Sequence, residues 1–364
     1  MTQIPRPEHP QPQMKREHWK NLNGEWDFSF DFGCSGIDQK WQEGKTDWEK
    51  KILVPFCPES DLSGIGYKDF IPGIWYHRTI TLTGEELKGD LLLHFGAVDY
   101  DARVWINGVE AGRHQGGYVS FTFNITKLVK EGENDITLFA ADDVRSGKQP
   151  KGKQSHFFYS IGCDYTRTTG IWQTVWLEWV PESYIEKVQY YPNLAEATLG
   201  IKAVVKGQGT LEAKAFYGGE PCGSVSAKSE GGTVTMTLPL SRLEKWEPGH
   251  GRLYDLTLTY GEDKVESYFG MREDWMERNS SSTIRACSKD WCWIRASIRM
   301  AFTQRLQRKH LSRMWNYPWL QASTAQDSIR RYLSLCSCIT AIKQAIWYGA
   351  SRAVGDWITA IPQH

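Results

Sequence analysis

The sequence lacks several patterns that would assign a function at once. It has no run of about 18 apolar residues, so we expect no membrane-spanning helix. Its first 19 residues contain no apolar core of the kind that marks a secretory signal peptide. A Ser/His/Asp triad, a glycine-rich phosphate loop and a zinc-binding helix motif are also missing. Lys plus Arg (43) equals Asp plus Glu (43), a balance that argues neither for nor against a nucleic-acid partner. We expect neither a membrane nor a nucleic acid as partner.

The cysteines and histidines show neither disulfide nor metal-ligand spacing. The cysteines of the first three quarters are Cys34, Cys57, Cys163 and Cys222. Their scatter predicts reduced thiols and a cytoplasmic location. The histidines considered as ligands are His77, His94, His114 and His156. We interpret them as hydrogen-bonded polar residues, and Cys336 with Cys338 is too small a set for zinc, so no metal and no other cofactor is expected.

Glycine almost disappears from the last quarter of the chain. Only Gly349 and Gly355 of the 33 glycines lie beyond residue 273, whereas 7 of the 17 tryptophans do. Residues 274–364 carry 13 Lys or Arg and 5 Asp or Glu, so their net charge of +8 is balanced by −8 in the rest. One fold seldom produces such a break, and we place a boundary near residue 274.

The stretch from Phe95 to Thr126 predicts β-structure. An apolar run, Val104–Ile106, is closed by Asn107-Gly108, the strongest short-range signal for a β-hairpin. Trp26, Phe28 and Phe30 alternate with Asp27 and Ser29, which predicts a strand with one buried and one exposed face. Pro55 and Pro58 follow the apolar run at residues 52–54, so that strand should lie at a sheet edge or end in a loop.

Two successive β-modules follow from this spacing. Residues 1–181 contain short, regularly spaced strands without a helical period, which is typical of a jelly-roll sandwich. Residues 182–273 contain six or seven further short strands separated by turns, which indicates an immunoglobulin-like sandwich without the usual disulfide. The fold class is therefore all-β.

These two modules resemble the N-terminal modules of glycoside hydrolase family 2, the β-galactosidase and β-glucuronidase group. The resemblance runs from residue 6 to about residue 272 and is specific, because many short motifs occur in the right order. The matching pieces are Leu22–Gly24 with Trp26, Val54–Phe56, Trp75 and Tyr76 with Arg78, Phe95–Val98, Val104–Gly108, Gly112 and Gly116, Gly170–Trp172 with Val175, Trp246 and Pro248, Leu253 and Tyr254, and Phe269–Arg272.

The resemblance implies a jelly roll of the galactose-binding type, an immunoglobulin-like module and then a barrel with two catalytic glutamates. Such retaining enzymes hydrolyse β-glycosides and often form homo-oligomers. In this family an aspartate placed like Asp164 reaches the active site and binds a sugar hydroxyl, and the alternative role for Asp164 is to cap its loop. Tyr165 and Arg167 are further candidates for substrate binding in the same loop. Since no barrel-like sequence follows Arg272 as written, we expect substrate-binding residues but no catalytic residue in this chain.

Residues 274–364 are interpreted as an out-of-frame remnant of that barrel, not as a proper domain. Permitted codons for residues 291–305, read from the third base, encode VLDQGFYPDGIYTA, which resembles the start of the family's barrel. The same shift continues to give barrel-like text to the end of the chain. We expect this segment to be disordered or weakly helical, and we prefer this interpretation to a basic arm that binds nucleic acid or membrane.

Two functions stay open at this point. The first is a fragment of a family 2 glycosidase that is inactive without its barrel. The alternative is a non-catalytic carbohydrate-binding or scaffold protein built from β-sandwiches. Five tryptophans could form a sugar-stacking platform, but their alternation within strands favours core packing. They are Trp26, Trp75, Trp105, Trp172 and Trp176.

Overall fold

The computed structural model describes residues 4–247 and 249–272, and these residues form nineteen β-strands and three short 3₁₀ helices. The helices cover Trp41–Glu43, Asp61–Ser63 and Glu85–Leu87. Within the described ranges no helix is long and apolar enough to cross a membrane. The predicted out-of-frame segment, residues 274–364, lies outside the described residues.

The first module is the predicted jelly-roll sandwich. Its sheets are six-stranded (β3-β2-β4-β10-β7-β8), four-stranded (β1-β12-β5-β9) and two-stranded (β11-β6). Every strand pairing within these sheets is antiparallel. The strands are β1 (Trp19–Asn21), β2 (Gly24–Phe30), β3 (Lys50–Val54), β4 (Gly73–Leu82), β5 (Asp90–Phe95), β6 (Val98–Asp99), β7 (Asp101–Ile106), β8 (Val109–Gln115), β9 (Phe121–Asn124), β10 (Gly132–Ala141), β11 (Gly170–Ile171) and β12 (Val175–Val180).

The hairpin at Asn107-Gly108 joins β7 to β8 as predicted. Asn107 has φ 53° and Gly108 has φ 80°, the pair of positive values that a type I′ turn requires. The Asn107 side chain donates to Asn134 Oδ1 at 2.9 Å and accepts from the Asp135 backbone N–H at 3.0 Å. Its amide also donates to the Leu128 carbonyl at 2.9 Å, so three hydrogen bonds favour asparagine here besides its tolerance of the left-handed conformation.

The C-terminal end of β2 is buried on both faces of the six-stranded sheet, which corrects one prediction. Phe28 is fully buried as expected, but Ser29 on the opposite face is fully buried as well. The Ser29 hydroxyl accepts the backbone N–H of Glu49 at 3.2 Å, because the segment between β2 and β3 covers this face. Trp41 and Trp48 from that segment pack against a cluster of Trp75, Trp105 and Phe139. The alternating pattern alone does not reveal such a cover.

Tryptophan packing and the edge position of β3 agree with the sequence. Four of the five candidate platform residues are at most 4% exposed, and only Trp172 is partly exposed. They are core residues, as the alternation predicted. Strand β3 occupies the edge of the six-stranded sheet, where the proline that follows it removes no ladder hydrogen bond.

The second module is an immunoglobulin-like sandwich of seven strands, as predicted. A three-stranded sheet (β13-β14-β17) and a four-stranded sheet (β16-β15-β18-β19) enclose one apolar core. Leu199, Ile201, Leu211 and Leu256 are among its fully buried side chains. The strands are β13 (Tyr184–Asn193), β14 (Thr198–Lys206), β15 (Gly209–Tyr217), β16 (Glu220–Ser229), β17 (Gly232–Pro239), β18 (Tyr254–Tyr260) and β19 (Asp263–Phe269).

Two segments of the first module form a compact unit of their own. They are residues 58–70, between β3 and β4, and residues 143–168, between β10 and β11. The other compact unit contains both sandwiches. All three predicted substrate-binding residues belong to residues 143–168, which we call the binding loop.

Candidate functional site

Backbone hydrogen bonds give the binding loop its shape. The Ser155 N–H donates to the Tyr165 carbonyl at 2.7 Å, and the Tyr165 N–H donates to the Lys153 carbonyl at 2.7 Å. Gln154 thereby pairs with Tyr165, and its side-chain oxygen accepts the Thr168 N–H at 2.9 Å. The start and the end of the loop therefore run side by side, although the sequence shows no regular strand there.

Asp164 closes a tight turn near the end of this loop. Its backbone N–H donates to the Ile161 carbonyl at 3.0 Å, and the Ile161 N–H donates back to the Asp164 carbonyl at 3.1 Å. Gly162 inside the turn has φ 57°, a conformation that glycine adopts without strain. The turn fixes the backbone of Asp164, so its carboxylate projects from a defined point.

The Asp164 carboxylate is paired with Lys151. The Lys151 ammonium lies 3.0 Å from Asp164 Oδ2 and also donates to the Gln154 carbonyl at 2.8 Å. Both side chains are about one third exposed. Because the lysine occupies one oxygen, the carboxylate keeps acceptor capacity towards solvent. Such a group can accept a sugar hydroxyl, and a charged acceptor makes the stronger kind of hydrogen bond.

Tyr165 and Arg167 stand in different surroundings from Asp164. The Tyr165 backbone belongs to the paired part of the loop, and its side chain is partly buried. Arg167 is only 2% exposed, and its guanidinium donates to the carbonyls of Ser155, Phe157 and Lys68. Arg167 thus joins the two segments of the unit. The assignment of all three residues to substrate binding stays a prediction, and Asp164 has the geometry best suited to it.

A stack of two arginines on one phenylalanine also holds the unit together. The guanidinium carbons of Arg145 and Arg167 lie 4.0 and 4.2 Å from the centroid of the Phe70 ring. A cation over an aromatic face contributes about 0.5–2 kcal/mol, depending on its desolvation. The edge of Phe158 contacts the same ring, with centroids 5.0 Å apart. These contacts fix a part of the chain that contains little regular structure.

The exposed aromatic residues of the binding loop were not predicted from the sequence as candidate site residues. Phe157, Phe158 and Tyr159 are between 41% and 64% exposed, and Phe157 stacks on Tyr159 with centroids 5.7 Å apart. Aromatic faces bind the C–H faces of sugar rings as well as apolar protein surface. Three adjacent aromatics in an otherwise polar segment were the available signal. Lys151 was also missed, because a lysine thirteen residues before Asp164 has no motif.

Two family models match the described modules. Residues 19–181 match the model described as "Glycosyl hydrolases family 2, sugar binding domain". Residues 183–272 match the model described as "Glycosyl hydrolases family 2". Together these two matches span most of the described residues and follow the order that the resemblance predicted.

Several relatives of this chain are named as β-glucuronidases. The enzyme from Felis catus is 27% identical over 272 residues, which covers 66% of this chain and 40% of the relative. The β-glucuronidase of Paenibacillus borealis is 28% identical over 139 residues, covering 38% of this chain and 23% of the relative. This chain therefore spans less than half the length of the relatives that it matches.

Solved structures share the fold. The Ruminococcus gnavus β-glucuronidase in complex with D-glucuronic acid superposes with a TM-score of 0.57 at 19% identity, covering 72% of this chain and 47% of that chain. A β-glucuronidase from an uncultured Clostridium sp. gives a TM-score of 0.57 at 22% identity, covering 71% and 46%. At this level of identity the likeness establishes the architecture of the two sandwiches.

Proposed function

Because the chain belongs to glycoside hydrolase family 2, we propose that its described residues are the non-catalytic, substrate-presenting part of a retaining β-glycosidase. The observation that carries this proposal is the ordered match of both modules, with the binding loop in the first of them. The names of the relatives favour a β-glucuronide as the substrate of the whole enzyme. The acidic sugar would be held by the complete enzyme, of which these residues supply one part.

The chemistry assigns different tasks to the two parts of such an enzyme. A retaining glycosidase needs two carboxyl groups about 5 Å apart, one as nucleophile and one as general acid and base. The family resemblance places both on the barrel that follows the second module. Asp164 forms a salt bridge to Lys151 at 3.0 Å, and its carboxylate keeps acceptor capacity for the hydroxyl of a sugar. We therefore assign Asp164 to substrate binding.

We propose further that residues 274–364 are out of frame and that this chain alone hydrolyses no glycoside. The support is the barrel-like text that a shifted reading of permitted codons gives. The test uses the purified full chain with p-nitrophenyl β-D-glucuronide and p-nitrophenyl β-D-galactoside. We expect no nitrophenol release above the buffer control. Turnover well above that background by the purified chain would contradict the proposal.

The role of Asp164 is tested in a version of the gene whose frame is restored after codon 273. Asp164→Asn removes the negative charge and keeps the shape of the side chain. A hydrogen bond to a charged group contributes about 1.5–3 kcal/mol, so kcat/KM for the glucuronide should fall roughly tenfold to a hundredfold. The matched control is Asp143→Asn, an exposed carboxylate of the same loop. Equal kcat/KM values for the two variants would exclude Asp164 from binding.

One observation favours the second candidate, a non-catalytic carbohydrate-binding protein. Phe157, Phe158 and Tyr159 present aromatic surface beside the turn that holds Asp164. If independent DNA sequencing confirms the printed frame, we expect the purified chain to bind D-glucuronic acid or a β-glucoside oligomer unaided. Isothermal titration calorimetry decides this point, and Phe158→Ala should then weaken binding. An absence of heat with both ligands would leave only the first proposal.

A further inference from the structure

The N-terminal arm, residues 4–18, contacts both sandwiches. Towards the first module, the Asn21 amide donates to the Arg6 carbonyl at 2.8 Å, and the Asn23 amide donates to the Pro5 carbonyl at 3.0 Å. The His9 ring lies edge-on to Trp19, with centroids 4.7 Å apart. The beginning of the arm is therefore attached to the jelly roll.

The end of the arm is attached to the second module. Lys15 and Glu266 exchange both backbone hydrogen bonds, at 3.0 and 2.8 Å, in an antiparallel bridge. The Gln13 side chain donates to the Tyr268 carbonyl at 3.0 Å. Glu266 and Tyr268 belong to β19, an edge strand of the four-stranded sheet. The arm thus covers an edge that would otherwise expose unpaired backbone groups.

Arg16 lies between these two attachments and reaches both modules with one side chain. Its guanidinium is only 6% exposed. It forms a two-pronged pair with Asp263, Nε to Oδ1 at 2.9 Å and Nη2 to Oδ2 at 3.0 Å. Nη1 donates to Glu178 Oε2 at 2.5 Å. Asp263 begins β19 of the second module, and Glu178 lies in β12 of the first.

The two carboxylates require a cation between them. Glu178 is 1% exposed, and Asp263 is 3% exposed. Asp263 Oδ2 also accepts the Ile185 N–H at 2.9 Å, and the Ile185 carbonyl accepts from Arg16 at 2.5 Å. A planar fork with five donors satisfies this set of acceptors, whereas a lysine ammonium supplies only three. Removing the arginine would leave two buried negative charges uncompensated, a change that usually destabilises strongly.

We propose that the junction between the two sandwiches is a guanidinium-binding site, filled by Arg16 of the same chain, and that its occupancy couples the sandwiches into one cooperative unit. The neighbouring groups agree with this assignment, because every strong contact to the guanidinium comes from a carboxylate or a carbonyl. His9 and His94 also approach the Glu178 carboxylate, with Nε2 at 3.3 Å from Oε1 and at 3.7 Å from Oε2. The site therefore presents two carboxylates and one carbonyl to the guanidinium, a set of acceptors whose negative charge attracts this cation.

The experiment is chemical rescue of the full chain carrying Arg16→Ala. Differential scanning calorimetry should show that the single unfolding transition of the two sandwiches moves to a lower temperature or splits into two transitions. Guanidinium chloride at low millimolar concentration, far below its denaturing range, should restore the transition, because a ligand that binds only the folded state raises its stability. Sodium chloride at equal ionic strength should restore nothing. The matched control is Arg113→Ala. Arg113 on β8 forms a two-pronged pair with Asp101 on β7, and the Arg113 side chain is 47% exposed.

Two results would overturn the proposal. One is an Arg16→Ala chain whose transition matches that of wild type. The other is a weakened transition that guanidinium raises no more than it raises the Arg113→Ala transition. If Arg16→Ala does not fold, Arg16→Lys carries the test. We expect it to melt below the Arg113→Lys variant, and equal melting of the two would contradict the assignment.

Discussion

The buried imidazole of His94 should make the folding stability of the protein depend on pH. His94 is 8% exposed, stacks on Trp176 with centroids 4.7 Å apart, and shares a hydrogen bond with the Thr122 hydroxyl at 2.8 Å. Burial lowers its pKa from 6.5 to about 4, and the charges of Arg16 and His9 add to this effect. The carboxylate of Glu178 acts in the opposite direction but does not compensate.

The sign and the size of the effect follow from proton linkage. Between pH 6.5 and about 4 the unfolded chain binds a proton at residue 94 and the folded chain does not, so acid favours unfolding. A shift from 6.5 to about 4 corresponds to about 3 kcal/mol of folding free energy lost across this window, at 1.36 kcal/mol per pKa unit. Above pH 6.5 the contribution should be constant.

The assay compares wild type with His94→Gln by urea unfolding, followed by tryptophan fluorescence at several pH values from 7 to 4. His94→Gln should be less stable at pH 7, because it loses the stacking on Trp176. As the pH falls from 7 to 4, the free energy of unfolding of His94→Gln should decrease less steeply than that of wild type. The difference between the two free energies should therefore shrink by about 3 kcal/mol at pH 4. The exposed control His18→Gln should follow wild type. Parallel curves for wild type and His94→Gln would refute the reasoning.

Two further predictions concern the framework of the first module. Asn107→Ala places a side chain without hydrogen bonds at φ 53° and leaves Asn134 without one donor, so the free energy of unfolding should fall by about 1–3 kcal/mol. An unchanged urea midpoint would contradict that assignment. Gly112→Ala would set a methyl group 2.4 Å from the Phe123 ring, which should cost about 1–3 kcal/mol. Gly33→Ala, whose methyl group meets nothing closer than 3.6 Å, should be nearly neutral, and equal melting temperatures for the two glycine variants would disprove the overpacking.

Local signals explain how much of the fold the sequence predicted. Asn107-Gly108 encodes a turn through its own conformational preference, and the alternation at Trp26 and Phe28 encodes a buried face. Both signals depend on a few neighbouring residues, so they can be recognised in the sequence without knowing which distant segments pack against them. The prediction failed at Ser29, because its burial depends on a separate segment that folds over the sheet.

Long-range contacts explain what the sequence did not show. Arg16 and Asp263 are 247 positions apart, and no local sequence motif near either residue predicts their ion pair. Substrate binding by Arg167 stays a prediction, and the hydrogen bonds from its guanidinium to backbone carbonyls of two segments were not visible in the sequence. Asp164 combines a resemblance to a known position with a partly exposed carboxylate in the folded chain. Charged side chains in loops have no periodicity, so their roles emerge from the geometry.

We propose that residues 4–272 belong to an enzyme whose catalytic barrel is encoded after residue 273 in a shifted reading frame. Independent sequencing of the source DNA across and beyond codon 274 tests it most directly. We expect a frame that joins residue 273 to barrel-like text and continues to two glutamates in the positions of nucleophile and acid/base. DNA reads that confirm the reading frame of the given sequence through codon 364 would contradict this proposal and leave the carbohydrate-binding alternative.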